Sequence, residues 1–99
     1  MKITVTEKAM AWFKEEMDAK PGDHIRFFAR YGGCSTVQSG FSLGVSREMP
    51  NHIGAKHEQA GITFYIEEND LWYFEENDLI VDCNPEDESE LTYAYQPEA

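Results

Sequence analysis

The order of hydrophobic and polar residues predicts one helix near the N-terminus of the chain. Three hydrophobic residues recur at intervals of four, as in a helix that buries one face. Thr6 suits the N-cap position, and Pro21-Gly22 ends the pattern. The recurring residues are Ala9, Phe13 and Met17.

Beyond this helix, alternation with a period of two predicts mostly strands. The polar stretch 47–61 has no sustained period and is predicted to be a long loop. A short helical turn is predicted at 71–74. The predicted strands cover 2–5, 24–31, 37–46, 62–67, 79–83 and an edge strand that holds Leu91, Tyr93 and Tyr95.

These elements predict an α+β fold that is mostly β. One helix cannot cover this many short strands, so we expect two small sheets, or one strongly bent sheet, in a compact sandwich. The 99 residues, 41% of them hydrophobic, fit a single domain spanning 1–99. The N-terminal residues do not resemble a signal peptide, and no apolar run approaches the length of a membrane span. We therefore expect a cytoplasmic protein.

The negative charge of the chain argues against two classes of partner. The formal net charge is −11, and no Lys or Arg follows Lys56. Nucleic acids and anionic membrane surfaces require clustered cations, so neither is an expected partner. The acidic C-terminal half is interpreted either as a solubilising surface or as a docking face for a basic partner.

The chain has two cysteines, in different local settings. Cys34 follows Gly32-Gly33 between two predicted strands, where the glycines let a tight turn hold the thiol at its tip. Cys83 lies on the inward face of the predicted strand 79–83, where a buried apolar role is the simpler interpretation. In a cytosol both are expected to be reduced, and a disulfide between them is the less favoured alternative.

The segment around Cys34 resembles the first cysteine motif of the HesB/IscA-like, A-type iron–sulfur biogenesis family. The resemblance implies a HesB-like sandwich of two small mixed sheets. This sequence departs from the family pattern by having Thr36 where Gly is frequent and no Cys-Gly-Cys near its C-terminus, where 86–90 is acidic. The residues that carry the resemblance are Gly33-Cys34-Ser35, Gln38, Gly40, Phe41 and Leu43.

The resemblance implies transient binding of iron or an iron–sulfur cluster during cluster assembly. Cys34 would be the principal thiolate ligand, and Cys83 or a partner chain would complete the metal site. A cluster takes about four thiolates, so a homodimer that contributes both cysteines from each chain would supply enough. Iron–sulfur assembly or recipient proteins are the implied partners.

A second hypothesis is an interaction module that keeps the family fold without the metal. Its docking face would be the acidic stretch 67–90, with Trp72 and Tyr73 as exposed aromatic residues. His52 and His57 could complete a mononuclear site with Cys34, although solvated loop histidines are the simpler interpretation. No base accompanies the thiols in a catalytic pattern, so we do not expect an enzyme.

Overall fold

Seven strands, one α-helix and one 3-10 helix make up the part of the chain that the structure describes. The computed structural model describes residues 1–32, 40–84, 86 and 90–97. In chain order the elements are β1 (Ile3–Val5), α1 (Glu7–Glu16), β2 (His24–Tyr31), β3 (Phe41–Arg47), β4 (Ile53–Gln59), β5 (Ile62–Glu67), the 3-10 helix (Glu68–Phe74), β6 (Asn77–Cys83) and β7 (Leu91–Pro97).

Helix α1 begins and packs as its sequence predicts. The Thr6 hydroxyl accepts a hydrogen bond from the Ala9 N–H at 3.2 Å, which confirms the N-cap. The helix buries Phe13, whose ring centroid lies 5.0 Å from that of Phe64 and 6.1 Å from that of Phe27. The helix therefore packs against the four-stranded sheet through its aromatic face.

Two small mixed sheets form the sandwich, as expected. One has the order β1-β6-β7 and the other β3-β2-β5-β4, and each combines a parallel with an antiparallel pairing. Phe27 of one sheet contacts Tyr93 of the other, with ring centroids 6.4 Å apart. The predicted α+β, mostly β fold is confirmed. None of the described helices is long and apolar enough to cross a membrane.

The prediction of a long loop over 47–61 is wrong. Residues Ile53–Gln59 form β4, an edge strand that pairs antiparallel with β5. Ala55 is the one buried residue of β4, and the register shifts between Ile53 and Ala55. A strand held by backbone pairing at a sheet edge does not require a hydrophobic face, which explains the missing period.

The expectation that Tyr73 is exposed is also wrong. Its side chain is fully buried, and its hydroxyl lies 3.2 Å from that of Tyr95 in β7. The 3-10 helix turns consecutive residues to different sides, so Trp72 is half exposed while Tyr73 enters the core. Only Trp72 of this pair can contribute to a surface.

Candidate functional site

Cys34 itself lies outside the described residues, and the structure describes the two strands that flank it. Tyr31 pairs with Phe41 at the ends of β2 and β3, and the Gly32 N–H donates to the Gly40 carbonyl at 2.8 Å. The two strands predicted to lead into and out of the cysteine segment are therefore paired neighbours. The assignment of Cys34 as a metal ligand stays a prediction.

Cys83 lies at the end of β6 and is buried, with 4% of its surface exposed. It borders a small open cleft of about 120 Å³ beside helix α1, together with Lys8, Trp12 and Glu15. Burial agrees with the apolar interpretation of this thiol. Its assignment as a second metal ligand stays a prediction.

Asp82 fixes the backbone beside this thiol. Its carboxylate accepts hydrogen bonds from the Cys83 N–H at 2.7 Å and from the Thr6 hydroxyl at 2.8 Å. These two donors, the Cys83 N–H first, hold the pKa of Asp82 below its ordinary value of 3.8. The end of β6 is thereby tied to the N-cap of α1.

The histidines predicted to complete a metal site have other contacts. His57 lies in β4, where its Nε2 is 2.8 Å from Gln59 Oε1, and its ring stacks near that of Phe64. His52 is exposed and donates its backbone N–H to Glu67. Among residues 1–32, 40–84, 86 and 90–97, no group of three or more His, Cys, Asp or Glu side chains is placed to hold a metal ion.

Three aromatic rings form a surface cluster beside the cysteine segment, which we call the aromatic patch: Tyr31, Phe41 and Trp72. The Tyr31 and Phe41 rings meet edge to face at 5.7 Å, and the Phe41 and Trp72 rings at 5.2 Å. Tyr31 is 91% exposed and Trp72 is 50% exposed. Trp72 was predicted to be an exposed aromatic residue, whereas the sequence alone did not single out Tyr31 and Phe41 as surface residues.

A partly buried polar cluster supports the 3-10 helix that carries Trp72. Arg26 in β2 forms an ion pair with Asp70 at 2.8 Å and another with Glu48 at 3.4 Å. Its guanidinium also lies 5.4 Å from the centre of the Phe28 ring. Because Asp70 belongs to the 3-10 helix, this pair ties the helix to the central strand. Sequence analysis missed it because the two partners are 44 positions apart.

Glu67 is the one charged residue found buried in the described part of the chain. Its carboxylate accepts the backbone N–H groups of Asn51 and His52, both at 2.7 Å. The Asn51 N–H is the largest cause that holds the pKa of Glu67 below its ordinary value of 4.5, and the His52 N–H and the Arg26 charge add to it. These effects outweigh burial, which alone would raise the pKa.

The family of the chain follows from comparison over nearly its whole length. The family model for iron–sulphur cluster biosynthesis matches residues 1–91. The chain therefore belongs to the iron–sulphur cluster biosynthesis family, which confirms the HesB/IscA-like resemblance of the Cys34 segment.

Individual relatives match nearly the whole chain. A Bacillus subtilis protein named pyruvate dehydrogenase inhibitor is 53% identical over 96 residues, which cover 97% of this chain and 100% of the relative. Uncharacterized proteins of Staphylococcus saprophyticus and Staphylococcus haemolyticus are 38% and 34% identical over 97 residues, 95% of this chain and 98% and 97% of theirs. No solved structure matches the chain.

Proposed function

We propose that this protein binds pyruvate dehydrogenase and inhibits it. The observation that carries the proposal is the 53% identity to the Bacillus subtilis pyruvate dehydrogenase inhibitor, which extends over the full length of that relative. The protein would act as a binding module rather than as an enzyme. The exposed aromatic patch supports this proposal because aromatic side chains are enriched where proteins bind one another.

The two cysteines also favour a protein-binding role. The chain has no cysteine after Cys83, so it lacks the C-terminal thiols expected of a cluster-carrying family member. A cluster takes about four thiolates, and one copy of this chain supplies at most two. A protein that keeps the family fold and binds a partner through its surface requires no further thiols.

Inhibition can be tested directly with the purified Bacillus subtilis pyruvate dehydrogenase complex. We expect its steady-state activity to fall as the protein is added and to level off once the binding sites are filled. The 2-oxoglutarate dehydrogenase complex, assayed in parallel, is the control and should keep its activity. Full pyruvate dehydrogenase activity at a large molar excess of the protein would contradict the proposal.

Transient binding of iron or an iron–sulfur cluster is the second candidate function. It is favoured by the glycine turn that carries Cys34 and by the membership of the family. Cys34 would be the principal ligand, with Cys83 or a second copy of the chain completing the site. The partners would be iron–sulfur assembly or recipient proteins, and for either candidate function we propose a cytoplasmic location.

Anaerobic reconstitution with iron and sulfide tests this second candidate. A bound cluster would give charge-transfer absorption in the visible range, and Cys34→Ser should abolish it because iron–sulfur clusters select thiolate ligands over a serine hydroxyl. Cys83→Ser tests whether the buried thiol takes part. Wild-type protein that stays colourless, with no bound iron after desalting, would exclude the candidate.

A further inference from the structure

The aromatic patch offers accessible ring faces to a partner. Tyr31 keeps 91% of its surface exposed, and its ring contact with Phe41 is an edge-to-face pairing at an interplanar angle of 87°. Trp72 contacts Phe41 at 79° and keeps half of its surface exposed. Large apolar side chains rarely remain this exposed in a group unless the surface binds something.

Two acidic residues follow Trp72 closely along the chain. The 3-10 helix ends at Phe74, and the exposed Glu75 and Glu76 follow within one turn of Trp72. The Glu75 N–H donates to the Trp72 carbonyl at 3.4 Å, so the backbone at Glu75 lies close to that of Trp72. Arg30, the neighbour of Tyr31 in β2, lies beside Phe28 and Gly44.

We propose that the aromatic patch is the surface through which this protein binds its partner, and that the partner presents a basic surface with an Arg or Lys side chain laid against the rings of Tyr31 and Trp72. The inference rests on the proposed binding of pyruvate dehydrogenase and names the surface and the chemistry that would produce it.

Two physical effects act together at such a surface. A guanidinium or ammonium group within about 6 Å of the ring centre of Trp or Tyr is attracted to its negative face. The net charge of −11 and the adjacent acids attract a basic partner over longer distances and raise the association rate. An anionic occupant, such as a nucleic acid or an acidic lipid surface, would be repelled.

The ring contribution is tested by the binding of two variants to the purified Bacillus subtilis pyruvate dehydrogenase complex. Tyr31→Ala and Trp72→Ala should each weaken binding by at least about tenfold, as truncation of an aromatic anchor does. Met49→Ala is the matched control, because Met49 is 75% exposed and lies outside the patch. Its affinity should match that of the wild type.

The outcomes separate the surface from the function. If neither variant weakens binding, the aromatic patch is not the binding surface, although the proposed function still stands. The same conclusion follows if Met49→Ala loses as much affinity as the patch variants. No binding by the wild type would overturn both. If Trp72→Ala fails to fold, Tyr31→Ala decides alone, since truncating so exposed a side chain leaves the core intact.

The basic character of the partner has a test of its own. The double variant Glu75→Gln, Glu76→Gln should bind more weakly and lose part of the salt dependence of the association rate. The control is Glu15→Gln, Glu16→Gln, which removes the same charge from exposed positions on α1, away from the patch. Equal effects of the two double variants would overturn the assignment of a basic surface that faces the patch.

Discussion

At the scale of single residues, Glu67 is the carboxylate on which the most local structure depends. It is 7% exposed, and the two N–H groups that it accepts belong to the segment entering β4. That segment is tied a second time, by the Glu68 N–H, which donates to the His52 carbonyl at 2.8 Å. Glu67 thus holds the connection between β3 and β4 against β5.

Replacing Glu67 by Gln should lower the free energy of unfolding by about 1–3 kcal/mol. The two backbone N–H groups bind different carboxylate oxygens, and Gln would replace one of these oxygens by an NH2 group that cannot accept. The measurement is urea unfolding at pH 7. Glu58→Gln, at an exposed position of β4, is the control and should leave the free energy of unfolding nearly unchanged.

The lowered pKa of Glu67 makes the stability of the protein depend on pH. The pKa of this carboxylate is lowered in the folded protein, so its contribution is fully present above the ordinary value of 4.5. That contribution is lost as pH falls from 4.5 through the lowered folded pKa. Glu67→Gln should therefore show a shallower fall in stability below pH 4.5 than the wild type, and identical slopes would contradict this account.

At the scale of elements, the β4–β5 hairpin depends on a tight turn at Gly61. Ala60 and Gly61 have φ angles of 53° and 79°, the left-handed pair that a two-residue hairpin turn requires. Pro21 packs against the turn, and a Cβ atom at position 61 would lie 2.8 Å from the Cβ of Pro21. The Gly22 N–H also donates to the Gly61 carbonyl at 2.8 Å, so the turn packs closely against the connection between α1 and β2.

Gly61→Ala should therefore destabilise the protein by about 1–3 kcal/mol, from backbone strain and from the contact with Pro21. Gly22→Ala is the matched control, because Gly22 has a φ of 96° but nothing within 4 Å of an added Cβ. Thermal unfolding should rank Gly61→Ala as the less stable variant. Equal unfolding temperatures would show that the contact with Pro21 imposes no constraint.

The elements with a clear hydrophobic period were predictable from the sequence, and β4 was not. Strands β2 and β5 alternate inward residues such as Ile25 and Phe64, which are fully buried, and their bounds agree with the prediction. Strand β4 lies at an edge and is held by pairing with β5. Its turn, Ala60-Gly61, also lacks the Asn-Gly or Asp-Gly pair that most often signals such a hairpin.

The aromatic patch was predictable only in part, because the exposure of its residues depends on how the two sheets pack. Trp72 could be identified from the sequence as an exposed aromatic residue. Tyr31 continues the inward pattern of β2 that includes Phe27, so its position predicts burial, yet the sandwich does not cover the end of the strand. The Arg26–Asp70 pair depends on long-range packing that no local pattern specifies.

At the scale of the whole molecule, the protein combines a family fold with an acidic surface and few thiols. The family model for iron–sulphur cluster biosynthesis matches residues 1–91, which include the Cys34 motif. The net charge of −11 and the aromatic patch are properties of the surface, and they favour binding to a basic partner protein. The match of the sequence to the family model therefore identifies the family, and we assign the proposed function to the surface.

The most direct test is to titrate the protein into the purified Bacillus subtilis pyruvate dehydrogenase complex at low and at high salt. We expect a saturable loss of pyruvate dehydrogenase activity at low salt. At high salt the same loss should require a higher concentration of the protein, because ions screen exposed charges. Activity that stays unchanged at every concentration of the protein, under both conditions, would contradict the account.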